Sequence, residues 1–371
     1  MFLWVVLPVI GMIAAAYYLY RKALGAAVCF LPELSRRKQH IAAGALAAVL
    51  VLPALRLYDS WFIILLHFVA FLILVDLIVL LYRKIMKKWM LSPAGNRIYR
   101  SGIIAILMTA LVCGYGHYHI FQIMRTEYTM PTQKEIREDG YTLVLLSDLH
   151  YGITLDGDAL QAVVDRINRE QADAVILDGD LVDESTTEVQ MQEAFQILGG
   201  LRSTYGTYYV YGNHDKNHYT SEPNYSENAL AEVIRKAGIQ ILEDETVTLN
   251  RELVLLGRAD RGDTVRKRAE ISQLTQGLDE NDLWVVLDHQ PAEYDKVRDV
   301  GCDFILSGHT HAGQIWPFGL FAAALHFDEL SYGTETRGQL QAVVTSGITG
   351  WGYPIRTEKD SEYVVLRIRP Q

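Results

Sequence analysis

Apolar positions divide the chain near residue 124 into two parts with different patterns. Before that point, four long apolar stretches come close to or exceed the roughly 20 residues that a helix needs to cross a hydrocarbon core. The predicted membrane-spanning helices cover residues 2–20, 41–58, 61–82 and 103–123. After that point, short apolar runs alternate with segments of helical periodicity, which is typical of an α/β domain. We therefore predict a transmembrane helical domain (1–123) and a soluble domain (141–371), joined by a linker (124–140) that can contain an edge strand.

Charge changes at the same boundary. Residues 1–124 carry 12 Lys and Arg against 3 Asp and Glu, a net charge of +9, whereas the remainder carries 22 against 41, a net charge of −19. The basic residues form one cluster after the first apolar stretch and another after the third: Arg21, Lys22, Arg36, Arg37 and Lys38, then Arg83, Lys84, Lys87, Lys88, Arg97 and Arg100. Cytoplasmic loops of membrane proteins are enriched in Lys and Arg. We therefore predict a multi-pass protein of the cell membrane, with its N-terminus and its soluble domain extracytoplasmic.

The first apolar stretch resembles a signal peptide, but its charges are in the wrong place. Arg21 and Lys22 follow the apolar run, and no clear cleavage site of small residues is present, so we expect an uncleaved anchor. His67 and Asp76 lie within the third stretch, where ionisable groups are costly. Either an ion path or a hydrogen bond between helices explains them. Cys302 is the only cysteine of the soluble domain, so no disulfide can form within it.

Polar motifs follow five apolar runs of the soluble domain, each of which predicts a buried strand. The runs are Tyr141–Ser147, Ala174–Asp178, Thr207–Tyr211, Trp284–Leu287 and Phe304–Leu306, and the motifs are DLH, GDLVD, GNHD, DHQP and SGHTH. Each motif alone fits an ordinary turn or helix cap. In an open α/β sheet, however, the loops beyond the carboxyl ends of strands converge on one crevice. So many ionisable groups in one crevice would repel each other or stay unsatisfied unless cations lay among them. The series therefore predicts a metal site.

The ordered series DLH, GDLVD, GNHD, H and GHTH resembles the calcineurin-like metallophosphoesterase superfamily over about residues 141–367. The stretch GHTHAGQ and the late GYPIR are similar to the membrane-anchored bacterial branch of that superfamily. The resemblance implies an α/β fold, a four-layer αββα sandwich with a dinuclear metal site. It also implies a metal-dependent hydrolase of phosphoric esters, which cleaves phosphodiester, phosphomonoester or pyrophosphate bonds. Of these activities, phosphodiesterase is expected before monoesterase.

The resemblance further implies a role for each motif residue. One ion would be held by Asp148, His150, Asp180 and His311. The second would be held by Asp180, Asn213, His289 and His309, with Asp180 bridging the two. His214 would be the catalytic histidine that faces the leaving-group oxygen, and Asp183 the carboxylate that orients it as a general acid. Asp215 is expected to fix a loop instead of binding metal.

The chemistry of these donors supports the same interpretation. All of them offer nitrogen or oxygen and none offers a thiolate, which favours Mn²⁺, Fe or Zn²⁺. Two divalent ions, two carboxylates and a bridging hydroxide leave a formal charge of about +1, which attracts phosphate even on an acidic domain. Such a pair of ions lowers the pKa of the bridging water and clamps a phosphoryl group for in-line attack, so no covalent phosphoenzyme is required.

Three acidic residues depart from the family pattern. Glu184 stands where the protein Ser/Thr phosphatases of the superfamily carry an arginine that grips phosphate, which argues against that type of enzyme. Asp178 and Asp288 precede the expected ligands Asp180 and His289. They either lower the positive charge of the site or lie behind the ligands.

Residues 314–327, QIWPFGLFAAALHF, are too apolar for an ordinary exposed loop. They form either a lid that reaches the membrane and grips a lipid chain or a loop packed on the sheet or the helical bundle. A site tethered to the outer leaflet favours a lipid-linked phosphodiester or pyrophosphate, with cell-wall phosphate polymers and soluble phosphoesters as alternatives. A metal-binding sensor, or a regulatory module coupled to a small membrane transporter, is the other class of function. The lipid bilayer is the expected partner, no nucleic acid is expected, and the sequence leaves the oligomeric state open.

Overall fold

The computed structural model describes residues 2–57, 59–87, 91–263 and 265–371. Tyr58, the end of the second predicted span, and Lys88 of the second basic cluster lie outside the described residues. The chain forms two compact units, Met1–Gly116 and His117–Gln371.

The first unit is helical. Its helices are α1 (Phe2–Phe30), α2 (Arg36–Val51), α3 (Ser60–Met86), α4 (Pro93–Ser101) and α5 (Ile103–Ile120), whose last turn belongs to the second unit. Asp59 caps α3 by accepting a hydrogen bond from the backbone N–H of Trp61 at 2.6 Å. Buried apolar side chains from α1, α2, α3 and α5 form the core of this unit, among them Leu19, Ala47, Leu65, Leu72 and Ala105.

Three stretches of the described residues are long and apolar enough to cross a membrane: Arg36–Leu55, Ser60–Met86 and Ile103–Ile120. They correspond to the second, third and fourth predicted spans. The first predicted span, 2–20, lies within the longer helix α1, which continues past Arg21 and Lys22 to Phe30 because the following residues are again mostly apolar or alanine.

Asp76 and His67 of α3 are satisfied by hydrogen bonds within this unit. Asp76 pairs with Lys22 and accepts hydrogen bonds from the hydroxyls of Tyr18 at 2.7 Å and Tyr99 at 2.9 Å. His67 Nδ1 lies 2.8 Å from the carbonyl oxygen of Ile63, one turn earlier. Since polar groups in apolar surroundings need such partners, contacts with side chains of other helices satisfy Asp76, and a bond within α3 satisfies His67.

The second unit contains two mixed β-sheets with helices. The strands are β1 (Ile123–Thr132), β2 (Tyr141–Leu146), β3 (Ala174–Asp178), β4 (Thr207–Val210), β5 (Gln240–Ile241), β6 (Glu245–Thr248), β7 (Leu253–Gly257), β8 (Leu283–Leu287), β9 (Phe304–Ser307), β10 (Gly333–Arg337), β11 (Leu340–Val344) and β12 (Ser361–Pro370). The helices are α6 (Gly157–Ile167), α7 (Glu188–Leu198), α8 (Glu227–Lys236), α9 (Ile271–Leu274), α10 (Tyr294–Asp299) and α11 (Phe318–Ala324). The first sheet has the order β1-β12-β2-β3-β4-β5, and the second has the order β10-β11-β9-β8-β7-β6.

The sheets pack face to face, and helices cover their other faces. Side chains such as Leu143, Ile176, Leu255 and Phe304 from both sheets share one buried cluster. The opposite face of the first sheet packs on α6, α7 and α8, and that of the second packs on α9 and α10. Strands buried on both faces explain the unbroken apolar runs of β2, β3, β8 and β9. Two mixed sheets flanked by helices agree with the predicted sandwich.

Much of the segment 124–140, predicted as a linker, forms an edge strand. β1 pairs in parallel with β12 from Ile123 opposite Ser361 to Thr132 opposite Pro370. Met130 is buried and, with Tyr128, packs on the cluster between the sheets. The alternation of these two apolar residues with polar ones suits a strand that is buried on one side only.

Candidate metal centre

The carboxyl ends of five strands bring the predicted site residues together. β2, β3 and β4 are parallel neighbours in the first sheet, and β8 and β9 are parallel neighbours in the second. Because parallel strands end at the same edge of a sheet, their following loops meet. The nine predicted residues lie in those loops: Asp148, His150, Asp180, Asp183, Asn213, His214, His289, His309 and His311.

Two groups of possible ligands lie side by side in this region. One consists of Asp148, His150 and His311, and the other of Asp180, His289 and His309, with the donor atoms of each group within 4.8 Å of one another. Oδ2 of Asp180 lies 3.0 Å from Nε2 of His289 and 4.0 Å from Nε2 of His150. Asp180 therefore lies between the groups, where a bridging carboxylate is needed.

Hydrogen bonds orient two of the histidines. Nδ1 of His289 lies 2.6 Å from the carbonyl oxygen of Asp178, and Nδ1 of His150 lies 3.1 Å from Oδ2 of Asp183. Within the described residues, the buried Nε2 of His150 and Oδ1 of Asn213 have no hydrogen-bond partner, and the buried Nε2 of His289 has only the carboxylate of Asp180 at 3.0 Å beside it. Buried polar atoms normally have partners. Metal-binding histidines use one ring nitrogen for the ion and the other for such a support, so these residues fit divalent ions.

Backbone conformation marks the same residues. Asp148, His150, Asp180, His309 and His311 have φ between 40° and 71°. This left-handed region is uncommon for residues other than glycine and costs of order 1–3 kcal/mol at each position, so it persists where the surroundings impose it, often at functional sites. The fold therefore aims these five side chains inward at a cost to local backbone stability.

Two glycines make room for the ligands. A Cβ at Gly308 would overlap the hydroxyl of Ser147 and the carboxylate of Asp148. At Gly179, where φ is +76°, a Cβ would lie 2.7 Å from Nδ1 of His289. The glycines of GDLVD and SGHTH are thus required by close approach between loops.

The candidate ligand histidines differ in their electrostatics: Asp180 and other nearby carboxylates outweigh burial and raise the pKa of His289 well above its usual range. Burial, reinforced by the charge of His289, lowers the pKa of His309 to about 3, and burial with the nearby His150 lowers the pKa of His311 well below its usual range. Both GHTH histidines are therefore neutral, as metal ligands must be. Burial alone would raise the pKa of Asp180, but the neighbouring histidines, His289 foremost, hold it well below its usual range.

His214 contacts Glu184, where Asp183 was expected. Nδ1 of His214 lies 2.9 Å from Oε2 of Glu184, whereas Asp183 contacts His150. Burial alone would lower the pKa of His214, but Asp180 and Glu184 outweigh it and raise the pKa to about 9. The expectation that Asp183 contacts His214 is therefore corrected, because the Asp183 side chain turns toward the candidate ligand His150 and the neighbouring Glu184 reaches His214.

Two aromatic residues that the sequence reasoning missed lie against His214. The ring centroid of His214 lies 5.1 Å from that of Tyr219 and 5.2 Å from that of Trp351. Tyr219 is 64% exposed. No motif signals either residue, since each reaches His214 from a loop of irregular structure.

The late motif residues Gln314 and Arg356 brace the loops of the site. The Gln314 side-chain amide donates to the carbonyl oxygens of Trp351, Tyr353 and Ile355 at 3.3, 3.2 and 3.1 Å. Its Oε1 accepts from the backbone N–H of Trp351 at 3.0 Å. The buried guanidinium of Arg356 donates to the carbonyl oxygen of His311 at 3.2 Å. The loops that contain GHTHAGQ and GYPIR are therefore hydrogen-bonded to each other. The sequence identified both motifs but did not reveal these contacts.

Asp215 fixes the loop that carries Asp180, as expected. Oδ2 accepts from the backbone N–H groups of Asp180 at 2.8 Å and Gly212 at 2.6 Å. Oδ1 accepts from those of Leu181 at 3.0 Å and Val182 at 3.3 Å. One buried carboxylate thus holds the turns after β3 and β4 together.

Asp178 and Asp288 have different surroundings. Arg268 contacts both oxygens of Asp288 at 2.9 and 2.6 Å, and Arg258 lies 3.2 Å from Oδ2, so the charge of Asp288 is neutralised behind the site. The side chain of Asp178 is buried without a hydrogen-bond partner among the described residues, and burial raises its pKa well above the usual range.

Comparisons with known proteins show what this chain is similar to. Residues 141–313 match the family described as calcineurin-like phosphoesterase. An uncharacterized metallophosphoesterase of Helicobacter pylori is 34% identical over 237 residues, which cover 62% of this chain and 60% of that protein. A transmembrane protein with metallophosphoesterase domain from Danio rerio is 27% identical over 280 residues, which cover 71% of this chain and 62% of that protein. A solved dimetal phosphatase from Danio rerio aligns with a TM-score of 0.38 and 13% identity, over 56% of this chain and 88% of that chain.

The match of residues 141–313 to the calcineurin-like phosphoesterase family bears out, for that part of the chain, the family predicted from the motifs. The alignments with the first curated relatives span 59% to 62% of the length of those proteins. Relatives that are named transmembrane proteins agree with the candidate spans of the first unit.

Proposed function

We propose that this protein is a membrane-anchored phosphoesterase that uses two divalent ions to hydrolyse a phosphodiester or pyrophosphate bond in a lipid-linked or cell-envelope substrate. The observation that carries the proposal is the position of Asp180 between the two groups of ligands, 3.0 Å from His289 and 4.0 Å from His150. A diesterase is proposed before a monoesterase, as the resemblance of the motifs implies.

The ligand assignment follows the two groups. Asp148, His150 and His311 would hold one ion, His289 and His309 would hold the other, and Asp180 would serve both. Asn213, whose buried Oδ1 has no hydrogen-bond partner among the described residues, would complete the second set. Nitrogen and oxygen donors favour Mn²⁺, Fe or Zn²⁺. When bound, two such ions lower the pKa of a water molecule between them and withdraw charge from the phosphoryl oxygens.

His214 supplies the proton for the leaving group. Its backbone N–H donates to Oδ1 of Asp180 at 2.8 Å, which fixes the residue beside the ligands. Glu184 accepts from Nδ1, so the proton on Nε2 is available to a leaving-group oxygen. A general acid must be held in this way, with a pKa that keeps it protonated at the working pH. Glu184 therefore takes the orienting role, and Asp183 supports His150 as a ligand.

The catalytic domain is proposed to lie outside the cytoplasm. Arg36, Arg37 and Lys38 begin α2, and Arg83 and Lys84 lie in the last turn of α3. With both clusters in the cytoplasm, α2 leads outward, α3 returns and α5 leads outward again. This orientation of the second unit does not depend on whether α1 crosses the membrane.

The substrate is proposed from this location. A site tethered to the outer leaflet meets lipid-linked phosphodiesters and pyrophosphates at high local concentration. Cell-wall phosphate polymers and soluble phosphoesters are the alternatives, and a panel of substrates separates them.

The experiment uses full-length protein with added Mn²⁺ and bis-p-nitrophenyl phosphate, p-nitrophenyl phosphate and lipid pyrophosphates in micelles. The wild type is expected to prefer the diester, and Asp180→Asn and His214→Ala to lose about 100-fold or more of the activity. Asp165→Asn, which changes an exposed carboxylate of α6, is the matched control. Metal binding without turnover of any substrate would support the sensor alternative, and full activity in Asp180→Asn would overturn the metal site.

The orientation has its own test in intact cells. A membrane-impermeant maleimide is expected to label a cysteine placed at the exposed Val189 of α7. Labelling only after the cells are permeabilised would place the domain in the cytoplasm instead.

A further inference from the structure

An exposed apolar surface lies next to the metal centre. Within residues 314–327 there is no Lys, Arg, Asp or Glu. Six large side chains there, each between 52% and 63% exposed, form what we call the apolar face: Trp316, Phe318, Leu320, Phe321, Leu325 and Phe327. A contiguous exposed patch of large apolar residues usually marks a binding surface for a protein or a membrane.

The apolar face is held in place by hydrogen bonds on its opposite side. The backbone N–H of Trp316 donates to Oγ1 of Thr357 at 3.0 Å, and that of Gly319 donates to Oε2 of Glu358 at 2.9 Å. Gly319 and Ala322 are buried. The helix is therefore fixed with Gly319 and Ala322 inward and its large apolar residues outward, which excludes the alternative that the segment packs its large apolar side chains on the sheet.

The loop that anchors this helix also receives the end of a candidate membrane span. In the last turn of α5, Nδ1 of His117 lies 2.9 Å from the carbonyl oxygen of Pro354, and Nδ1 of His119 lies 3.1 Å from that of Arg356. The hydroxyl of Ser361 donates to the carbonyl oxygen of Ile120 at 2.9 Å. Since Thr357 follows Arg356 directly, the anchor of the apolar face lies only a few ångströms from the residue that meets the end of the span.

The first residue of the segment, Gln314, is tied to the site. Gln314 follows the candidate ligand His311 by three residues, and its amide is bonded to the loop that carries Trp351 against His214. A single set of loops therefore connects the end of the span, the apolar face and the metal centre.

We propose that the apolar face docks on the lipid bilayer that holds the spans and keeps the metal centre at the level of the lipid headgroups. The bilayer is the occupant because the loop that anchors the surface also contacts the end of a candidate membrane span. The surface also carries tryptophan and phenylalanine without charges. Segments that insert at the interface bury their apolar side chains about 5–10 Å deep beside the headgroups. The docking is inferred from the apolar face and its contacts alone. Its consequence is preferred access to phosphoesters of lipids, and this consequence rests on the proposed function.

Fluorescence quenching tests the docking directly. A cysteine that replaces Leu320 carries an environment-sensitive fluorophore. The full-length protein has alanine in place of Cys29, Cys113 and Cys302, and it must retain metal-dependent hydrolysis of bis-p-nitrophenyl phosphate. The protein is reconstituted in vesicles of phosphatidylcholine and phosphatidylglycerol, part of whose acyl chains bear a spin label. The probe is expected to lose about half of its fluorescence, as for a group within the acyl region. The matched control is the same probe at Val189, an apolar residue of α7 that is 75% exposed, which is expected to stay bright.

Equal quenching of the probe at Leu320 and at Val189 would overturn the docking, whatever the hydrolytic activity of the protein. A second measurement compares bis-p-nitrophenyl phosphate with a diacylglycerol p-nitrophenyl phosphodiester in the vesicles, since both release the same leaving group. The double variant Leu320→Asp, Phe321→Asp is expected to hydrolyse the lipid diester about tenfold more slowly and the soluble diester at an unchanged rate. If the double variant hydrolyses the lipid diester as fast as the wild type does, the preferred access to lipids is overturned. Absence of hydrolysis of either diester by the wild type would reject the proposed function, while the quenching would still decide the docking.

Discussion

Nδ1 of His214 lies 2.9 Å from Oε2 of Glu184. Asp183, which precedes Glu184 in the chain, was the residue expected to make this contact. Asp183 lies 3.1 Å from Nδ1 of His150 instead. Two consecutive acids therefore support two different histidines, one with a proposed role in proton transfer and one with a proposed role as a metal ligand. Substitutions that keep the shape of each acid and remove its charge can separate these roles.

Glu184→Gln should change the pH dependence of hydrolysis. Asp180 and Glu184 together raise the pKa of His214 to about 9, so removing the Glu184 charge lowers that pKa. A general acid acts only while protonated, and its contribution is lost as the pH rises through its pKa. The alkaline limb of kcat/KM against pH should therefore move by about one unit to lower pH. Glu232→Gln, on the exposed side of α8, is the control, and an unshifted alkaline limb in Glu184→Gln would contradict the orienting role.

Asp183→Asn should weaken metal binding. The hydrogen bond from His150 to Asp183 sets the tautomer of a candidate ligand, and loss of such a support typically costs 10–100-fold in metal affinity. Titration of the metal-depleted protein with Mn²⁺ should show a higher Kd for at least one ion, with the alkaline limb of the pH profile nearly unchanged. The opposite pattern, unchanged affinity with a shifted limb, would return the orienting role to Asp183.

Asp215→Asn should destabilise the protein. The carboxylate accepts four backbone hydrogen bonds, and the variant presents an NH₂ group to donors that need an acceptor. Loss of hydrogen bonds to a buried charged group predicts a decrease of roughly 2–4 kcal/mol in the free energy of unfolding. A lower Tm of the detergent-solubilised protein is the readout. Asp295→Asn, whose side chain is 69% exposed, should unfold like the wild type, and an unchanged Tm in Asp215→Asn would refute the loop-fixing role.

Gln314→Ala should loosen the loop that carries Trp351. Three carbonyl oxygens lose their donor and the N–H of Trp351 loses its acceptor. Hydrogen exchange of residues 349–357 should become faster, and kcat/KM should fall about tenfold because Trp351 no longer holds its place beside His214. Gln192→Ala, on the exposed side of α7, should change neither quantity. Unchanged exchange in Gln314→Ala would show that other contacts hold the loop.

The sequence predicted the five strands that carry the candidate site because short-range patterns determine them. Apolar runs buried on both faces, each followed by Asp, Asn or His, identified the strand ends that converge on one crevice. The nine residues named from these motifs all lie there. The glycines beside them are explained by loop contacts as close as that between Gly179 and His289.

Other features depend on contacts that no periodicity records. Which of Asp183 and Glu184 reaches His214 is decided by the path of one loop, and the placement of Tyr219 and Trp351 is decided by two others. The segment 124–140 contains few apolar residues, so its extended pairing with β12 was expected only as an optional edge strand. Composition detected the apolar segment 314–327, but only the structure shows that its large side chains point outward.

Metal content combined with electron paramagnetic resonance tests the central claim most directly. Metal-depleted full-length protein, titrated with Mn²⁺, should bind two ions per chain and give the spectrum of a spin-coupled pair, since one carboxylate joins sites roughly 3.5–4 Å apart. Asp180→Asn should lose the coupled spectrum. One ion per chain, or two ions without magnetic coupling, in the active wild type would contradict the account.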